Sequence, residues 1–208
     1  YINSNNTITI NNANEGYGIY TSNGQVTSNA DITLTNSQQA QNKTSYGIKA
    51  DAGSVLNNAD IYMNVTGDTT GEVSNESGSY GIWGGQANIT NSVDSQIVFT
   101  LRGNGMYTES GSNDNFGTIH MQDGGTGMGT ASGNATNQTN ATITIDDTGV
   151  GMASGLGNAT NNGTINITGT LSTGMESERY AVNNNVINVT GYNSKGMGVV
   201  ADNAQIIN

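Results

Sequence analysis

Apolar residues fall along the chain in short alternating runs. These read ITI at Ile8, ITL at Ile32, IYM at Ile61, IVF at Ile97, IHM at Ile119, ITI at Ile143, INI at Ile165 and INV at Ile187. Alternation with a period of two puts the first and third residues of each run on one face, as in a half-buried strand. The first inward position is Ile in every run. The second is Ile10, Leu34, Met63, Phe99, Met121, Ile145, Ile167 or Val189. The residues between and before them are mostly polar, so each strand is expected to bury one side only.

A second pattern has the same repeat. A Gly followed by Ile or Met recurs at Gly18, Gly47, Gly81, Gly105, Gly127, Gly151, Gly174 and Gly196, in steps of 29, 34, 24, 22, 24, 23 and 22 residues. A third segment ends in Asn, usually four residues before the inward Ile. Asn57, Asn115, Asn161 and Asn183 fit directly, Asn91 and Asn137 fit with two-residue insertions, and Ser4 and Ser28 depart from the pattern. Each repeat thus predicts three short strands in about 22–24 residues.

The same face pattern returns once per repeat in the same chain direction. A hairpin meander cannot produce that, but rung-on-rung stacking with parallel pairing can. The expected fold is an all-β, right-handed, three-sided parallel β-helix of about eight coils. Strands ~4.8 Å apart would give a rod roughly 40 Å long. Asn suits its bends, because it tolerates left-handed backbone and its amide can bond the amides above and below. A propeller would need blades of four strands. A left-handed helix would need a hexapeptide period, and the calcium-binding nonapeptide is missing. The chain is expected to be one β-helical unit over residues 1–208, cut from a longer solenoid, with loop insertions near 35–45 and 66–79.

Composition agrees with many short strands. Among 208 residues there are 30 Gly, no Pro and no Cys. Without Pro, every residue keeps the N–H that a ladder needs. Cysteine-based disulfides and thiolate metal sites are excluded. Five basic residues stand against sixteen acidic ones, for a net charge of −11. Such a surface is a poor partner for nucleic acid, whose binding needs clustered Lys and Arg. No apolar run is long enough to span a bilayer as a helix.

The recurring GMxS…N-x-G-T-I-x-I, as in GMASGLGNATNNGTINI from Gly151, resembles the passenger domain of a Gram-negative autotransporter (type V secretion) adhesin. It is most similar to the large fusobacterial-type outer-membrane adhesins. That resemblance implies export to the cell surface, a right-handed β-helical stalk, and anchoring by a C-terminal outer-membrane β-barrel. It also implies adhesion to a host-cell or bacterial surface protein or glycan. A polysaccharide-processing β-helix enzyme, or a tailspike-like glycan-binding module, is the alternative.

Candidate chemistry is sparse. Gly149-x-Gly151 looks like part of a phosphate loop. Yet Gly151 is one of eight equivalents, no helix follows it and no Lys accompanies it. Glycoside hydrolysis needs two acids across the scissile bond. Asp146, Asp147 and Asp123 are candidates, but they lie in turns. Asp31 and Asp60 read as outward sheet positions. His120, the single His, is placed outward between Ile119 and Met121 and has no Gly-x-Ser-x-Gly partner. No catalytic residue, metal site or cofactor is expected, and the outward column is too mixed for an ice lattice.

Recognition is more promising. The residue after each Gly-Ile/Met pair should face outward. It is Tyr20, Lys49, Trp83 and Tyr107 in the first four coils, then Gly129, Ala153, Glu176 and Gly198. The first four are the candidate ligand-binding residues, since exposed aromatics stack on sugars or fill a partner's pocket. The bland reading is that they cover hydrophobic sheet surface. Tyr17, Tyr46 and Tyr80, just before the glycines, read as a stacked corner.

Overall fold

The computed structural model describes residues 1–11, 16–35, 44–64 and 78–208. Most of the two expected insertions, at 36–43 and 65–77, lies outside the described residues. The described residues contain strands, turns and bends and no helix. They form the three-sided parallel β-helix, with about eight turns.

One face carries the Ile runs. Its eight strands pair in parallel in chain order, so that Ile8, Ile32, Ile61, Ile97, Ile119, Ile143, Ile165 and Ile187 stand in one register column. From Ile32 to Ile165 these side chains are fully buried. Each contributes about 1.5–3 kcal/mol of apolar burial. The second inward column, Leu34 to Ile167, is equally buried. In the first and last coils the inward residues Ile8, Ile10, Ile187 and Val189 are only partly buried against the core.

The Gly-Ile/Met strands and the Asn-ending strands make the other two faces. They are not separate sheets, as the three-strand repeat would suggest. Tyr46–Asn57 and Tyr80–Asn91 each run unbroken through both faces and join them into one 15-stranded sheet. Later coils bend between the two faces. There the Thr108 and Thr130 hydroxyls accept hydrogen bonds from the N–H groups of Gly111 and Gly133, at 3.0 and 2.8 Å.

The glycine column is explained by close packing. A Cβ on Gly151 would lie 2.4 Å from the Gly174 carbonyl oxygen and 2.7 Å from the Ile165 side chain. The equivalent Ile and neighbouring-coil glycine crowd the same position at Gly18, Gly47, Gly81, Gly105, Gly127 and Gly174. A side chain there would hold the coils apart.

The Asn column is a continuous amide ladder. Each Nδ2 donates to the next Oδ1, from Asn57 through Asn91, Asn115, Asn137, Asn161 and Asn183 to Asn208, at 2.7–3.0 Å. The two-residue insertions after Asn91 and Asn137 leave it intact. They are absorbed in turns where Asp94 and Asn140 take left-handed φ of 66° and 69°. Ser28 occupies the column before Asn57 and turns its hydroxyl to the Ala30 carbonyl. The Asn57 Oδ1, at the head of the ladder, is consequently buried without a partner.

One inward column has no counterpart among the sequence expectations. On the Asn face the core residues are Val26, Val55, Ile89, Asn113, Ala135, Ala159 and Ala181. On the Gly face they are Ile19, Ile48, Ile82, Met106, Met128, Met152 and Met175. Where the first column shrinks to Ala, the second lengthens to Met. Met is no bulkier than Ile, but its unbranched chain reaches further and adapts to the space that Ala leaves.

Candidate functional site

The outward column of the Gly face is in register as expected. Tyr20, Lys49, Trp83, Tyr107, Gly129, Ala153, Glu176 and Gly198 are successive partners across adjacent strands. Tyr20 is 48% exposed, and Lys49, Trp83 and Tyr107 are half-buried.

The Tyr column beside it belongs to the same surface. The Tyr17 and Tyr46 rings stack 5.3 Å apart and within 1° of parallel. Tyr46 and Tyr80 stack at 5.4 Å and 9°. The two columns interlock: Tyr17 meets Tyr20, Tyr46 meets Trp83 edge-on at 6.1 Å, and Tyr80 meets Tyr107 at 5.7 Å. Six rings thus form one layer across four coils. Spacings of this kind suit aromatic pairs.

Lys49 is held inside that layer. Its Nζ lies 5.0–5.8 Å from the ring centroids of Trp83, Tyr46, Tyr17 and Tyr20. A carboxylate oxygen of Asp51 is 3.8 Å away. The Tyr20 hydroxyl donates to the other Asp51 oxygen at 2.8 Å, and this bond raises the phenol's pKa. Lys49 therefore braces the rings from within, through cation–π attraction. Asp51, two residues along the strand, was not singled out by sequence reasoning. Its i, i+2 spacing from Lys49 is the signal that puts both on one face.

Past Tyr107 the column becomes small. The Tyr107 ring lies over Gly129, where a Cβ would meet its Cδ2 at 2.8 Å. Beyond it a depression of about 120 Å³ opens over Ala153, bounded by Tyr107 at one end and by Glu176 and Glu178 at the other. A second depression, of about 410 Å³, lies between Trp83 and Tyr107 and includes Glu109. Burial raises the Tyr107 pKa, with the Glu109 charge adding to it, so the phenol stays neutral. Burial likewise raises the Glu176 pKa, against an opposing effect of Lys195.

The remaining candidates lie elsewhere. His120 faces outward on the Ile face, and its Nε2 meets the Asp146 carboxylate. The other Asp146 oxygen accepts from the Thr168 hydroxyl at 3.0 Å. Asp147 accepts from the Thr148 N–H, and Asp123 is exposed. Asp146 and Asp147 are engaged by their neighbours, and none of the three acids lines either depression. Asp31 and Asp60 are outward on consecutive coils, linked by the Asp60 N–H, and Asp60 also accepts from Gln96. Among the described residues no cluster of three or more His, Asp or Glu could hold a metal ion.

The aromatic layer and its depressions offer ring faces and hydrogen-bonding walls on a rigid sheet. No curated protein and no solved structure matches the chain. A family model described as the BigA third pectate lyase-like domain matches residues 1–208. Domains of that type are β-helical and occur in bacterial surface proteins. With the match covering every coil, the chain belongs to the family of BigA third pectate lyase-like domains.

Proposed function

We propose that this chain is a binding segment of a bacterial adhesin. In this reading it is a rigid β-helical stalk, and Tyr20, Lys49, Trp83 and Tyr107 form a face presented to host cells or other bacteria. The observation that carries the reading is the six-ring layer braced by Lys49. It is ordered across four coils, partly exposed, and confined to one half of one face. Binding energy commonly concentrates in rigid aromatic anchors of this kind. Export by a type V route, with anchoring by a C-terminal outer-membrane β-barrel, is part of the same proposal.

The segment acts without catalysis in this reading. The local hydrogen bonding of Asp146 and Asp147 supports that, since an acid–base pair must converge on a substrate. The test is adherence of the purified protein to host and bacterial cells, comparing wild type with the Trp83→Ala/Tyr107→Ala double variant. Adherence should fall sharply in the variant while circular dichroism stays unchanged. Adherence at the wild-type level would remove the aromatic face from the function.

A further inference from the structure

We propose that the two depressions flanking Tyr107 form one trough for a neutral oligosaccharide, running across the coils from Trp83 to Glu176. The proposal rests on the binding-face reading and names the class of ligand for it.

The trough follows from the side chains of one column. Trp83, Tyr107, Gly129, Ala153 and Glu176 are consecutive register partners, so the line they form is roughly 19 Å long. Gly129 and Ala153 leave the middle of that line bare. The Tyr107 ring lies down over Gly129 and borders both depressions. An extended ligand can therefore pass along the sheet with an indole at one end and a phenol ring beneath its centre.

The walls select the chemistry. They carry amide, hydroxyl and carboxyl groups: Gln86 and Glu109 on one side of Tyr107, and Asn104, Thr126, Glu176 and Glu178 on the other. Pyranose rings present an apolar C–H face to aromatic rings and hydroxyls at their edges, and such a floor and walls match both. Neither Lys nor Arg lines either depression. Lys49 is held by rings and Asp51 beyond Trp83. Polyuronates and sialylated chains would bring negative charge against three glutamates with no cation in the lining, which disfavours them. The chain's net charge of −11 adds to that bias.

The test uses the whole chain against neutral hexasaccharides of glucose, mannose and N-acetylglucosamine, with hexagalacturonate as the anionic comparator. Trp83 is the single tryptophan, so its fluorescence reports occupancy directly. At least one neutral probe should bind and shift that emission. Tyr107→Ala, and Ala153→Phe, which fills the depression over Ala153 and leaves Trp83 the single tryptophan, should each weaken binding about tenfold or more. Asn188→Ala, at an exposed position of the Ile face that lines neither depression, should leave it within a few-fold. Ala153→Phe alters an outward position, and circular dichroism checks its fold. Stronger binding of hexagalacturonate than of every neutral probe would overturn the proposal. So would neutral binding that survives both variants. If no sugar binds while Trp83→Ala/Tyr107→Ala still abolishes adherence to cells, the trough proposal fails, the binding face stands, and its partner is a protein.

Discussion

The first three coils and the fifth to seventh fill the same core with different residues. In the former, Ile19, Ile48 and Ile82 share each cross-section with Val26, Val55 and Ile89. In the latter, Met128, Met152 and Met175 share it with Ala135, Ala159 and Ala181. The coil of Met106 and Asn113 stands between them. The outward column changes at almost the same place, from aromatic and Lys to Gly, Ala and Glu. The Ile face runs through both regions with buried Ile in every interior coil. The Ile column, the close-packed glycines and the Asn ladder, which run through both regions, keep the coil geometry uniform. The outer surface is thereby free to carry rings in one region and to stay plain, with the bare stretch of the trough, in the other.

The largest effects test that uniformity. Ile61→Ala in the first region and Ile143→Ala in the second each remove a fully buried side chain. Each should cost about 2–5 kcal/mol in urea unfolding. A much larger loss in one region would show that the core does not support the two alike. The glycine column gives a second, smaller contrast. Gly151→Ala drives a methyl group against the Gly174 carbonyl, whereas at Gly196 nothing lies within 4 Å of the new atom. Gly151→Ala should destabilise by about 1–3 kcal/mol through overpacking. Gly196→Ala should stay within about 0.5 kcal/mol. Equal losses would mean that the glycines are held by backbone preference and not by contact between coils.

This uniform frame was legible in the sequence because it repeats. The inward Ile and Gly columns stand out by period and identity, and Asn91 and Asn137 keep their place despite the inserted turns. The Val-to-Ala column escaped notice because Ala and Asn113 carry no polarity contrast with their neighbours. The fusion of two faces through Tyr46–Asn57 and Tyr80–Asn91 also escaped, since local residue type does not say whether a strand bends or continues. Tyr20, Lys49, Trp83 and Tyr107 were found as a column. The cage around Lys49, and the lean of Tyr107 over Gly129, depend on side-chain direction between coils. A one-dimensional pattern fixes no such direction.

The aromatic region can be sharpened against the plain one by its lysines. Lys49→Met keeps an apolar stem but removes the cation from among four rings and from Asp51. It should cost about 0.5–2 kcal/mol. Lys195→Met, in the last coil, should change stability by less than about 0.5 kcal/mol. Thermal unfolding of both variants decides it. If Lys49→Met were neutral, the rings would hold one another without the cation, and Lys49 would be free to serve a ligand directly.

The smallest effect belongs to the plain region and concerns Glu176. Burial raises its pKa above the ordinary 4.5, although Lys195 works in the other direction. A carboxyl with a raised pKa binds its proton more tightly in the folded chain than in the unfolded one. Its contribution to stability is therefore fully present below the unfolded value, and is lost as pH rises through the folded value. Wild type should lose a little stability between about pH 4.5 and the raised folded value, over and above what Glu176→Gln loses. The same titration bears on the trough. A protonated Glu176 donates a hydrogen bond and carries no charge, so discrimination against a uronate should weaken as pH falls through that range. Parallel stability curves for wild type and Glu176→Gln would mean that the groove is wetter than its burial implies. Glu176 would then be no more selective than any surface carboxylate.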